Sequence, residues 1–146
     1  MKQHRLSFEL EMVTEPAYEC IKLTGRLAYD TQLAAEQKLA MAAAAVKRRL
    51  VVVDVSGLRF LDSTGLALLV RFFKQMVSAS RAMAIIVRDN AVLEKILLIA
   101  KLDRLLPIVA DEQQLLSLPP LRSPDSIGQE ELYSAWHQCR PSGDFV

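Results

Sequence analysis

Asp62-Ser63-Thr64-Gly65 sets two hydroxyls and a carboxylate between two apolar runs, in the stretch Leu58 to Leu69. A hydroxyl beside an acid could serve as a nucleophile, as an acceptor for a transferred group, or as the cap of a helix. Each enzyme chemistry requires more than these four residues. A phosphate-binding loop needs GxxxxGK[ST], which is absent. A nucleophile elbow needs GxSxG, and Leu61-Asp62-Ser63-Thr64-Gly65 fails at the first glycine. A carboxylate dyad needs a second acid in the same kind of motif, and none repeats it. The two histidines, His4 and His137, lie near the chain ends, where a catalytic base is poorly held. No catalytic residue is therefore assigned. As a cap, one of Asp62 and Ser63 suffices. If Asp62 caps, Ser63 becomes the first helical residue with a hydroxyl free to face solvent. Gly65 is costly inside a helix by ~1 kcal/mol against alanine. Near the helix start its missing side chain is read as clearing space around the hydroxyl. Cap and reactive serine both remain open on composition alone.

Those residues must be positioned by the flanking elements. Leu50-Val51-Val52-Val53-Asp54-Val55 is a short β-branched run, the mark of a strand covered on both faces, with Ser56-Gly57 as its break. From Thr64 to about Ser78, Leu66, Leu69, Val70, Phe73 and Val77 recur at helical spacing and predict the buried face. Leu68 and Phe72 then fall off that face and are expected to be partly exposed. Arg71, Lys74, Arg81 and Arg88 follow with no acid between Asp62 and Asp89. They form either a solvated helix face or a basic rim around an apolar patch for an acidic partner.

Upstream, Leu6 to Met12 and Tyr18 to Leu23 alternate as strands and predict an antiparallel pair, with Gly25 ending the second. Asp30 and Thr31 offer a cap for a helix over about 32–48, closed by Lys47-Arg48-Arg49 at the negative end of its dipole. Downstream, Ala82 to Val87 reads as a buried strand and Asn90 as the cap of a helix to about Lys101. Ile108-Val109 is a last strand, and Asp111-Glu112-Gln113-Gln114 opens a final short helix. Such alternation demands crossovers and a mostly parallel sheet. The fold class is α/β, with a mixed sheet of about four or five strands, an antiparallel N-terminal edge and about four helices.

The chain has 146 residues, a size that suits one domain, and a formal net charge of +1, which argues against a generic nucleic-acid or membrane-surface binder. Cys20 and Cys139 lack any CxxC spacing, so neither zinc nor a disulfide framework is expected and a cytoplasmic setting is the default. No apolar h-region follows Met1-Lys2-Gln3-His4-Arg5, and no window reaches the length of a membrane span. The domain reading is 1–118, with 119–146 as a tail. Leu118-Pro119-Pro120-Leu121-Arg122-Ser123-Pro124 reads as a linker with little drive to fold. Residues 126–139 could form one weak helix carrying Trp136, as a frayed end or a partner-docking peptide.

Val53-Asp54-Val55-Ser56-Gly57-Leu58-Arg59-Phe60-Leu61-Asp62-Ser63-Thr64-Gly65-Leu66 resembles the signature of the STAS domain, specifically the bacterial anti-sigma factor antagonists. The likeness runs from Leu6 to Leu118, through Ile21–Leu27, Leu102–Ile108 and Asp111–Leu116. It implies a non-enzymatic regulatory module that binds an anti-sigma factor/serine kinase and thereby frees a sigma factor. It implies phosphorylation of Ser63, with Thr64 the lesser candidate, release of the modified form and reset by a phosphatase. The partner surface is then expected from Asp62, Ser63, Thr64 and Gly65 of the motif, from Arg26 and Ala28 of the loop after the second strand, and from Leu68, Arg71 and Phe72 of the helix patch read above. ATP would belong to the kinase, so no cofactor is expected here; neither is direct DNA contact, and a homodimer is left open. Two departures stand out: Gly25-Arg26-Leu27-Ala28 replaces the family's Gly-Glu-Leu-Asp, and Lys101 stands where the family has glycine. An alternative role is the cytoplasmic STAS subunit of a lipid or anion transport complex.

Overall fold

The computed structural model describes residues 7–140. His4, Leu6 and residues 141–146, which entered the readings above, lie outside the described residues. The elements in order are β1 (Phe8–Thr14), β2 (Glu19–Leu27), α1 (Gln32–Ala45), β3 (Leu50–Leu61), α2 (Ser63–Ser78) and β4 (Ala82–Ile86). They are followed by α3 (Ala91–Ile99), β5 (Ile108–Val109), α4 (Glu112–Leu116) and α5 (Gln129–Cys139). The strands form one five-stranded sheet in the order β1-β2-β3-β4-β5. β1 runs antiparallel to β2, and the remaining pairs are parallel, as the alternation of strands and helices predicts.

Three boundaries differ from the sequence reading. Gly25 does not end β2. Its left-handed backbone (φ 89°) carries the strand past the Ser7 carbonyl, which any Cβ would strike, and on to Leu27. Ser56-Gly57 does not break β3, which runs twelve residues and delivers Asp62 well beyond the end of β4. α1 stops at Ala45, where Val46 turns extended and buried, so Lys47-Arg48-Arg49 lie past its dipole. They staple loops instead: Arg48 Nε donates to the Glu15 carbonyl at 2.8 Å and Arg49 Nε to that of Ile127 at 2.7 Å. Nor does Thr31 cap α1; its hydroxyl turns back to accept from Ala28 N–H (3.1 Å) and donate to the Arg26 carbonyl (2.8 Å).

β3 is covered on both faces, as its β-branched run requires. Val51, Val53 and Val55 face α1, α2 and α3 with Leu39, Leu69, Phe72, Met76 and Leu97. Leu50 and Val52 face a second core with Tyr18, Cys20, Ala84 and Ile86. That second core is closed by Leu118, Leu121, Ile127, Leu132 and Trp136, all buried. The segment expected to have little drive to fold therefore seals a sheet face. Pro119 and Pro124 each open a 3-10 turn, where a missing N–H is harmless. Gln129 fixes the cover to the sheet: its carboxamide accepts from Met83 N–H (2.6 Å) and donates to Met83 O (3.1 Å), pairing β4 where β5 does not reach. Arg140 stacks on Trp136 at 4.6 Å and bonds Asp103 at 3.3 Å, so the aromatic is buried rather than offered to a partner.

Candidate functional site

The site lies at the C-terminal end of the parallel strands, where β2 and β3 run side by side to Leu27 and Leu61. Asp62 leaves β3 in extended conformation and starts α2. One carboxylate oxygen accepts Gly65 N–H at 2.9 Å, and the other accepts Tyr29 N–H at 3.0 Å. One side chain thus caps α2 and ties the β2–α1 connection to it. Burial opposes its charge, but backbone N–H groups of Gly65, Tyr29, Thr64 and Asp62 itself outweigh burial and hold its carboxyl below the usual range. With both oxygens occupied and its basicity lowered, Asp62 is a poor proton acceptor for the Ser63 hydroxyl.

Ser63 is the first residue of α2 and is exposed. Among the described residues no side chain or backbone group bonds its hydroxyl. Thr64 is half-buried. Gly65 is buried, and a Cβ there would run into the Leu27 carbonyl oxygen and come within 2.7 Å of Leu61 Cδ1. This overturns the reading of Gly65 as room for the hydroxyl: it admits the backbone of β2, and so sets how closely α2 seats on the sheet.

The same contact fixes the rotation of α2. Its inner face is Gly65, Leu68, Leu69, Phe72 and Met76, one residue out of phase with the predicted stripe. Leu68 (3% exposed) and Phe72 (2%) are core residues and not surface contacts, whereas Val77 is exposed. They form the floor of a groove of about 350 Å³ between α1 and α2, spanned by the Arg71–Glu36 ion pair at 3.3 Å. Of the two readings of the cations, a solvated helix face or a basic rim, the rim is not formed: Lys74 is exposed on α2, and the others are drawn to acids and carbonyls of other elements. Arg88 bonds Asp54 and Glu112, and Arg81 donates to the carbonyls of Arg48 (2.6 Å) and Val46 (3.2 Å).

Arg26 sits beside the site, over the Phe60 ring at 4.3 Å and paired with Asp30 at 3.0 Å. Ala28 is buried at 1% exposure and presents no side chain to a partner. Sequence reasoning missed Tyr29, which is 76% exposed and bonded through its N–H to Asp62. Its only signal was its place after Arg26 and directly after Ala28 in the connection that follows β2.

Other chemistry finds little support. Burial pushes the Cys20 thiol up to about 11, so it is a poor nucleophile. No group of three or more His, Cys, Asp or Glu among the described residues could hold a metal ion. No helix among them is long and apolar enough to cross a membrane.

The family model of the STAS domain matches residues 9–115. Comparison with curated protein sequences returns no significant match. Several solved structures share the fold. An anti-sigma factor antagonist from Mycobacterium paratuberculosis is 19% identical with a TM-score of 0.64, covering 74% of this chain and 90% of its own. A STAS-domain anti-sigma-factor antagonist from Planctomyces limnophilus is 22% identical with a TM-score of 0.58, covering 73% and 94%. The Bacillus cell fate determinant SpoIIAA in its phosphorylated form is 21% identical with a TM-score of 0.52, covering 73% and 95%. With its sheet order, its Asp62-capped helix and a family match over most of its length, the chain belongs to the STAS domain family.

Proposed function

We infer that this chain is an anti-sigma factor antagonist. It binds an anti-sigma factor that is also a serine kinase, loses that partner when Ser63 is phosphorylated, and is reset by a phosphatase. The observation that carries the reading is the Ser63 hydroxyl, exposed at the first position of α2 while Asp62 does the capping. The folds it resembles include SpoIIAA, described in both unphosphorylated and phosphorylated forms. The chain acts by binding and supplies no catalytic group.

Electrostatics define the kind of switch. Phosphorylation adds about −1.5 to −2 charges. The helix N-terminus favours an exposed negative charge by ~0.3–1 kcal/mol. Asp62 repels it by a comparable amount, and salt screens both terms. With the two terms offsetting, modification leaves the fold intact and changes the charge and bulk of the surface a partner meets.

A pulldown with mass spectrometry, comparing the unmodified chain with Ser63→Asp, tests this directly. The reading expects an anti-sigma factor with a kinase fold on the unmodified chain and its absence on Ser63→Asp. Recovery of permease or ATPase subunits instead would replace it with the transport role.

A further inference from the structure

α1 carries a surface that the Ser63 site does not account for. Along its outward side Leu33, Ala34, Gln37, Ala40, Met41 and Ala44 are all exposed, with Leu33 at 78% and Met41 at 71%. At 100° per residue these positions sweep about a third of the helix circumference. One polar residue, Gln37, and no charge falls within it. A helix side turned to solvent ordinarily carries charged residues, as α2 does with Arg71 and Lys74. The inner side of α1 is already spent on Ala35, Leu39 and Ala42, so this is a second apolar face on a helix that needs only one.

The face is continuous with the switch. Tyr29 and Leu33 extend it to the N-terminal end of α1, and Tyr29 N–H is bonded to Asp62, the neighbour of Ser63. Along its length α1 is joined to α2 by Glu36–Arg71. We propose that the outward face of α1, from Tyr29 to Met41, is the second half of the partner surface. There it receives an uncharged aliphatic patch of the anti-sigma factor that docks at Ser63. This rests on the proposed function and deepens it: the apolar face supplies affinity, and Ser63 gates it. A matching patch has to be uncharged over α1 itself, where a buried partner charge would meet no countercharge; the one acid at the Tyr29 end, Asp30, is already paired with Arg26 at 3.0 Å.

The test places p-benzoylphenylalanine at Met41 and, in a separate variant, at Ala67, which is exposed one turn along α2 from Ser63. Each full-length chain is cross-linked in its host cells, with and without Ser63→Asp. Attachment of the same anti-sigma factor at both positions, lost at both with Ser63→Asp, is the expected result. Attachment at 67 alone, or a second copy of this chain at 41, overturns the inference while leaving the proposed function standing. No anti-sigma factor at 67 overturns both. In titrations with the recovered anti-sigma factor, Met41→Glu should weaken binding about tenfold or more, as a charge placed within an apolar interface does. Its melting curve should match that of the unsubstituted chain; unchanged affinity overturns the inference.

Discussion

α2 and α4 begin at the same end of the sheet with the same device and different consequences. Asp62 accepts Gly65 N–H at 2.9 Å, and Asp111 accepts Gln114 N–H at 2.8 Å, each from extended backbone. The next residue is Ser63 in one and Glu112 in the other. Glu112 is turned into the molecule: Arg88 bonds both its oxygens, at 3.1 and 3.2 Å, and reaches Asp54 at 3.2 Å. That guanidinium holds the Glu112 carboxyl below its usual range, and the two acids raise the pKa of Arg88 in turn. The Ser63 hydroxyl is bonded to no group among the described residues. One start closes the fold, and the other leaves a hydroxyl outside it. Asp111-Glu112 also places an anion directly after an aspartate cap, the charge order that phosphorylated Ser63 would create. The domain already carries such an arrangement.

The third residue after each cap separates the two starts most. Gly65→Ala drives a methyl into the Leu27 carbonyl and should cost about 3 kcal/mol or more, read by denaturant unfolding. Gln114→Ala, at the matching position of α4, should cost under ~1 kcal/mol, since it loses one exposed bond to Ala110 N–H. Similar losses at both would remove the claim that Gly65 sets the seat of α2.

Arg88→Met attacks the closed start. It strands Asp54, 7% exposed, and frees Glu112. A fully buried broken pair costs ~3–5 kcal/mol; the Arg88 side chain is 37% exposed, so about 2 kcal/mol is expected. Partner binding through Ser63 should persist at temperatures where the variant stays folded, and pulldown measures this.

The caps themselves should differ by less. Asp111→Ala removes one capping bond, at about 1 kcal/mol; Asp62→Ala removes two and should approach 2 kcal/mol. Because the folded Asp62 carboxyl is held below its unfolded value, its contribution is complete above that value, ~3.9, and fades as pH falls through the folded one. Melting temperature in Asp62→Ala should therefore fall less steeply below about pH 4 than in the unsubstituted chain. Parallel pH profiles would show that the two backbone bonds do not favour the ionised carboxylate in the folded state.

Much of this was legible in the sequence because it rests on local chemistry. The Asp62 cap, the Asn90 cap and the buried β4 strand follow from residue type and spacing. The phase of α2 was not legible from hydrophobicity. Leu66, Leu69, Val70, Phe73 and Val77 make a stripe as regular as Leu68, Leu69, Phe72 and Met76. Gly65 decides between them, and it does so through a contact with β2 nearly forty positions earlier in sequence. The cover of the second sheet face was half legible. Leu50–Val55 demanded material on both sides, but the prolines disguised its supplier, whose apolar residues follow neither strand nor helix period until α5. Lys101 adopts the left-handed conformation (φ 65°) that explains a family glycine there, a cost the sequence could flag and only the backbone could locate.

The central claim is that Ser63 switches binding without touching the fold. Ser63→Glu should change stability by under ~0.5 kcal/mol, the smallest effect of the series. The decisive measurement uses the chain phosphorylated stoichiometrically at Ser63, with calorimetric titration against its anti-sigma factor and thermal melting of the same sample. A loss of affinity of about a hundredfold or more, with melting within about 2 °C of the unmodified chain, is predicted. Unchanged affinity, or a melting temperature lowered by many degrees, would contradict it.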